Sequence, residues 1–194
     1  MGQRARPGVG FGQGPVVRGG RRLGEQRLGD RARDALVASH AARDGGRWAE
    51  AAPGFEKSAM VCRDRGMTRS ATWLGTLAAE CRARAGDAAG AVAALEAAIG
   101  DARADGDKGH SAQVFGELLA ALAGTPLAGA VADLERAIRD AVGVAPKPPG
   151  GADVNRTLKR TLPATCDTCG TATDAARARR SEDGADCHVC GAVL

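Results

Sequence analysis

The sequence predicts an all-α chain, a solenoid of about three helix pairs closed by a small four-cysteine module. Three observations carry this. Aromatic residues make up only 3% of the 194 residues and Tyr is absent, while 44% are apolar, so the core is built from Ala, Leu and Val, which suits close-packed helices better than strands. A motif recurs three times at offsets of 40 and 39 residues, the mark of stacked helical units. The last 29 residues hold four Cys spaced C-x2-C-x17-C-x2-C.

Residues 1–30 are rich in Gly and Arg and lack apolar periodicity, so they cannot bury enough surface to offset the entropy of ordering. They are expected to be a disordered tail. Six Arg against Glu25 and Asp30 account for the whole net charge of +4, which leaves the rest of the chain neutral. Arg18-Gly19-Gly20-Arg21 could serve as an RGG-like RNA contact. A single copy reads more simply as a solvated tail, or as residues added by an upstream start.

Residues 31–142 form the repeats. Gly46, Gly86 and Thr125 open three parallel segments in which Ala51, Ala91 and Ala130 coincide, then Phe55, Leu95 and Leu134, then Glu56, Glu96 and Glu135. A small residue followed four positions later by a large apolar one lies on one helix face, where the Ala admits the partner helix and the larger side chain fills the space beside it. Helices are expected near 31–44, 47–64, 68–85, 87–104, 110–123 and 126–142. Gly46 and Gly86 supply the turns, and Pro126 stands at a first helical turn, where a missing N–H is tolerated. Pro53 with Gly54 predicts a kink or a ragged start in the second helix.

These segments resemble the second helix of tetratricopeptide (TPR) repeats: Gly46, Trp48, Ala51, Phe55 and Ser58 match that pattern best, and Trp73-Leu74-Gly75 is similar to the start of a first helix. The period of 39 to 40 departs from the usual 34 and implies longer helices or loops. In the family the first helix of each unit lines a concave groove that holds a peptide. The resemblance therefore implies partner-binding roles for Arg33, His40, Arg43, Glu80 and Arg84, a mostly basic set suited to an acidic peptide or a terminal carboxylate. Solvated helix faces are the plainer reading of the same residues.

Residues 143–165 read as a Pro/Gly linker, with a possible short capping helix at 153–162 carrying Val154, Leu158 and Leu162. In the module at 166–194, Cys166, Cys169, Cys187 and Cys190 have the spacing of a structural zinc site: a two-residue gap lets both thiolates of a knuckle face one ion, and Gly170 and Gly191 relieve the turns. Four thiolates close the zinc shell, whereas a catalytic site keeps one position open. So small a module has little core of its own, and chelation is expected to unfold it and leave the helices standing.

The cysteine spacing also resembles GATA-type zinc fingers, down to Arg179-Arg180 and Asp183-Gly184. The Trp that precedes those arginines in that family is missing, and Leu194 ends the chain where those fingers continue into a DNA-docking helix. Residues 166–194 carry three Arg against five acids, and a zinc tetrathiolate adds a formal −2, so the surface repels phosphate. A plain zinc ribbon is the better description.

Little else in the sequence points to chemistry. His40 and His110 have no Cys or acidic partners at ligand spacing, and Cys62 and Cys81 fit as small apolar residues of the core. No phosphate-cradling loop or Ser/His/Asp arrangement is present, so an enzyme is not expected. No apolar run reaches the roughly 18 residues of a membrane span. After Arg21 and Arg22 the apolar stretch of an export signal is missing. Unpaired thiols at metal spacing fit a reducing compartment, and the cytoplasm is expected. The expected function is a protein or peptide interaction scaffold; the rival is a nucleic-acid-associated factor using the Arg-rich tail with the zinc module.

Overall fold

The computed structural model describes residues 30–147, 163–173, 179–181 and 184–193. Among them are six α-helices: Asp30–Asp44 (α1), Trp48–Asp64 (α2), Thr68–Arg84 (α3), Ala88–Asp105 (α4), Lys108–Leu122 (α5) and Val131–Val142 (α6). Two short strands, Arg179–Ser181 (β1) and Gly184–Asp186 (β2), pair antiparallel. Residues 1–29 of the expected tail at 1–30, the capping helix at 153–162 and most of the linker lie outside the described residues, and Asp30 already belongs to α1.

One device makes the first four helix–helix connections. Gly46, Gly66, Gly86 and Gly106 all adopt φ between 72° and 81°, a left-handed conformation that costs glycine least. In the first three, the residue after the Gly donates its N–H five residues back: Arg47 to the Ala42 carbonyl, Met67 to Cys62 and Asp87 to Arg82, at 2.8–2.9 Å. These bonds answer carbonyls left open at each helix end. Asp87 and Asp107 then cap the next helix, accepting from the N–H groups of Gly90 and His110. Helices of up to 18 residues joined by tight turns thus make up the 39- to 40-residue offset between the similar segments.

The helices pack in sequence-adjacent pairs, with α3 central: it lies against α2, α4 and α5. Two glycines inside helices set the closest approaches. A Cβ at Gly54 of α2 would land on the Ser39 hydroxyl of α1, and one at Gly75 of α3 would sit 2.9 Å from the Ala98 Cβ of α4. One apolar cluster contains Leu36, Phe55, Leu74 and Leu77, and a second contains Leu95, Phe115, Leu122 and Ile138. Ion pairs then tie each pair to the next: Arg43–Glu80 at 2.8 Å, Arg63–Asp101 at 2.6 Å, and Arg69–Asp107.

Two local expectations are corrected. α2 runs as helix from Trp48 to Asp64 with Pro53 exposed inside it. Gly54 is there for the contact with α1. The fifth helix begins at Lys108 because Asp107 caps it. The sixth does not start at Pro126: Thr125 forms a turn, its hydroxyl donating to the Leu122 carbonyl and accepting from the Leu127 N–H, and a short 3-10 turn at Ala128–Ala130 leads into α6.

Candidate metal centre

Cys166–Gly170 and Cys187–Gly191 are two copies of one turn. In each, the Gly N–H returns to the carbonyl of the first Cys, at 2.7 Å for Gly170 and 2.8 Å for Gly191. Each first Cys donates its own N–H to the residue after that Gly, Cys166 to the Thr171 carbonyl and Cys187 to the Ala192 carbonyl. Both Gly sit near φ 70°. The two-residue gap and the following Gly thus fold both sulfurs of each knuckle inward.

The four sulfurs lie within 4.8 Å of one another. Across the knuckles, Cys166 Sγ is 3.6 Å from Cys190 Sγ, and Cys169 Sγ is 3.7 Å from Cys187 Sγ. Disulfide sulfurs would be about 2 Å apart. An ion held tetrahedrally at about 2.3 Å from each sulfur sets the sulfurs about 3.8 Å from one another; the two cross-knuckle distances match this, and the four cysteines lie close enough together to hold a metal ion. All four are at most 2% exposed.

Crowding unsettles the thiol protons. Hydrogen bonding pushes the Cys166 thiol up from Cys169 and down from Cys187 and Cys190, with a net fall to about 7. Cys169 is lowered by its hydrogen bonds to Cys166, Cys187 and Cys190. Cys187 and Cys190 are raised, chiefly because Cys166 and Cys169 take the favourable share. A cation that displaces every proton removes this conflict. Cys62 and Cys81, by contrast, are pushed up to about 12 by burial, as inert core thiols are.

The module is seated on α1 and α3. Its four sulfurs and Val189 belong to the same buried cluster as Leu36, Phe55 and Leu77. His40 Nε2–H of α1 donates to the Val189 carbonyl at 2.8 Å, which fixes the tautomer, because a carbonyl can only accept. Arg69 of α3 reaches Asp186 Oδ1 at 3.3 Å, and Asp186 is fully buried beside Cys187. Gly191 has no room for a side chain because the Trp73 ring fills that space, and Gly170 faces the guanidinium of Arg33.

The proposed partner-binding residues therefore fall into two groups. Arg33 and His40 face the cysteine module. Arg43, Glu80 and Arg84 form an ion-pair triad around the Glu80 carboxylate, at 2.8 and 2.9 Å, with Arg84 also stacked over the Trp48 ring at 4.9 Å. Beside the triad a cleft of about 80 Å³ is lined by Arg43, Trp73, Thr76, Glu80, Val114 and Glu117 among others. That is well below the roughly 300–1,000 Å³ of small-molecule sites. Both helical histidines, His40 and His110, take structural places: His110 is buried, its Nε2 3.3 Å from the Arg69 carbonyl. Sequence reasoning missed Arg69, Asp186 and Trp73 as partners of the module; the one signal available was the Asp immediately before the second knuckle.

No described helix is long and apolar enough to cross a membrane. Comparison with protein-family models, with curated proteins and with solved structures finds no match to this chain.

Proposed function

We propose that the chain is a non-catalytic interaction scaffold of the reducing cytoplasm, a TPR-like array of three helix pairs that binds a protein or peptide partner and carries one structural zinc ion on Cys166, Cys169, Cys187 and Cys190. The observation that carries the reading is the sulfur quartet: four buried thiols within 4.8 Å of one another are enough to fill a zinc shell, leaving no position for water or substrate. The helix-and-turn unit that repeats at Gly46, Gly66, Gly86 and Gly106 supports the array, as do the ion pairs that link successive units.

The partner face is the cleft beside α3 and α5. Its volume suits one anchoring side chain of a peptide rather than a free metabolite. An acidic partner would have to exchange with Glu80, which already answers Arg43 and Arg84.

Two measurements test this. Elemental analysis of the purified chain should find one zinc per molecule. Proteins captured on the immobilised chain should be lost with Ala121→Trp, which fills the cleft at α5. Equal capture by the filled variant removes the partner face from the reading. Binding of labelled RNA or DNA that falls steeply with salt would favour the nucleic-acid alternative instead.

A further inference from the structure

We infer that the cysteine module is a metal-dependent latch on the first helices of the array, closed over α1 and α3 when the quartet is loaded and released when it is empty, with Arg69 as the positioning residue that couples the two. The inference rests on the reading of the quartet as a zinc site and adds regulation to it.

Four ties hold the latch, and each depends on the folded knuckles. The Val189 carbonyl that meets His40 lies inside the second knuckle, and Gly191, packed on Trp73, closes it. Gly170, which faces Arg33, closes the first. Asp186, held by Arg69, immediately precedes Cys187. Apart from its cysteines, the described part of the module buries only Ala185 and Val189 as apolar side chains. Packing within the module is too slight to shape the knuckles, so the ion must do so.

Coupling runs both ways. Asp186 is fully buried, and a buried carboxylate is tolerated only where a cation answers it. Arg69 supplies that cation and also binds Asp107, the residue that caps α5. One guanidinium thus joins the module, α3 and the start of α5. Docking brings Arg69 to Asp186 and so favours the loaded knuckle, while loading presents Asp186 to Arg69. Release of the ion would uncover Trp73, which lines the cleft, so metal occupancy would set how much of that face is open.

The test uses the full chain with Trp48→Phe, which leaves Trp73 as the sole tryptophan. Removing zinc with a chelator should shift Trp73 emission to the red and increase its quenching by acrylamide, and adding zinc back should reverse both. In competition with a chromophoric chelator, Arg69→Met should weaken zinc binding about tenfold or more, as loss of outer-shell partners does, with Arg69→Lys partly restoring it. Gly170→Ala and Gly191→Ala provide an internal control, because both strain the same turn but only Gly191 is packed on Trp73. In the zinc-loaded protein only Gly191→Ala should increase Trp73 quenching. One bound zinc with a Trp73 signal unmoved by chelation overturns the latch and leaves the metal site standing; a chain that binds no zinc overturns the metal site itself.

Discussion

The ring of Trp73 fills the space into which a side chain at Gly191 would project. Trp73 belongs to α3, the helix that packs against α2, α4 and α5, and Gly191 closes the last cysteine turn. A residue buried in the helical core therefore also forms the seat for the C-terminal module. Arg69, one helical turn earlier, adds a guanidinium that bridges Asp107 and Asp186. Cluster, hydrogen bond and ion pair all join the sulfur quartet to α1 and α3, so the stability of the module and that of the first helices are linked.

The thiols give this linkage a direct readout. Burial pushes Cys62 and Cys81 up to about 12, so neither forms much thiolate at pH 8. In the zinc-loaded chain a thiol reagent should modify none of the six cysteines quickly. After chelation four should react at once, and the last two only on unfolding with denaturant. Intact mass after a timed quench counts them. Six fast thiols on chelation would mean that the helices open together with the module, against the expectation that they remain standing.

Glycine substitutions should divide by backbone conformation. Gly66 closes α2 at φ 72°, where a Cβ is strained, so Gly66→Ala should destabilise the chain by about 1–2 kcal/mol. Gly100 lies exposed in α4 with open space around it, so Gly100→Ala should stabilise by roughly 0.5–1 kcal/mol. Urea midpoints of the two variants should move in opposite directions. Stabilisation by Gly66→Ala would mean that the turn at Gly66 is not formed as described, and destabilisation by Gly100→Ala that its surroundings in α4 are not open.

Helix boundaries were legible because glycine marks them, but only half of the marks were read. Aligning segments 40 residues apart compares second helices with second helices and finds Gly46 and Gly86. Gly66 and Gly106 end helices of the other kind, and the 20-residue spacing shared by all four emerges only when backbone angles are compared. The quartet was legible because its spacing is local. Its docking was not: His40 and Val189 are 149 residues apart, and the groups that meet there are a carbonyl and a glycine, which carry no side-chain pattern. The Arg43, Glu80 and Arg84 triad shows a related limit, since Arg43 of α1 reads as part of a free basic surface until α3 packs beside it and places the Glu80 carboxylate between the two arginines.

Asp101 of α4 is 3% exposed and accepts from both Nε and Nη2 of Arg63 in α2, at 2.6 and 2.8 Å. Arg63→Met removes the cation and leaves a buried carboxylate unanswered, which should destabilise by about 1–3 kcal/mol. Arg63→Lys should recover only part, because an ammonium cannot reproduce the two-pronged geometry. Urea denaturation of both variants with Asp101→Asn as a third checks this. If Asp101→Asn proves as damaging as Arg63→Met, the loss lies in the shared hydrogen bonds rather than in the stranded charge.

Acid should loosen the latch through His40. Burial holds this imidazole below its ordinary value of 6.5, outweighing the upward pull of the hydrogen bond to the Val189 carbonyl, and the Arg43 charge adds a lesser depression. Between 6.5 and the lower native value the unfolded chain binds the proton and the native chain does not, so stability rises with pH there. The His40 contribution is complete above 6.5 and is lost as the pH falls through the native value, with a slope of at most about 1.4 kcal/mol per pH unit for one proton. His40→Gln can keep an N–H for the Val189 carbonyl but cannot titrate. The difference between the urea midpoints of the wild type and this variant, measured in excess zinc from pH 7.5 to 5.5, should shrink or reverse as the pH falls. Parallel profiles across that range would show that the imidazole takes no part in the pH response.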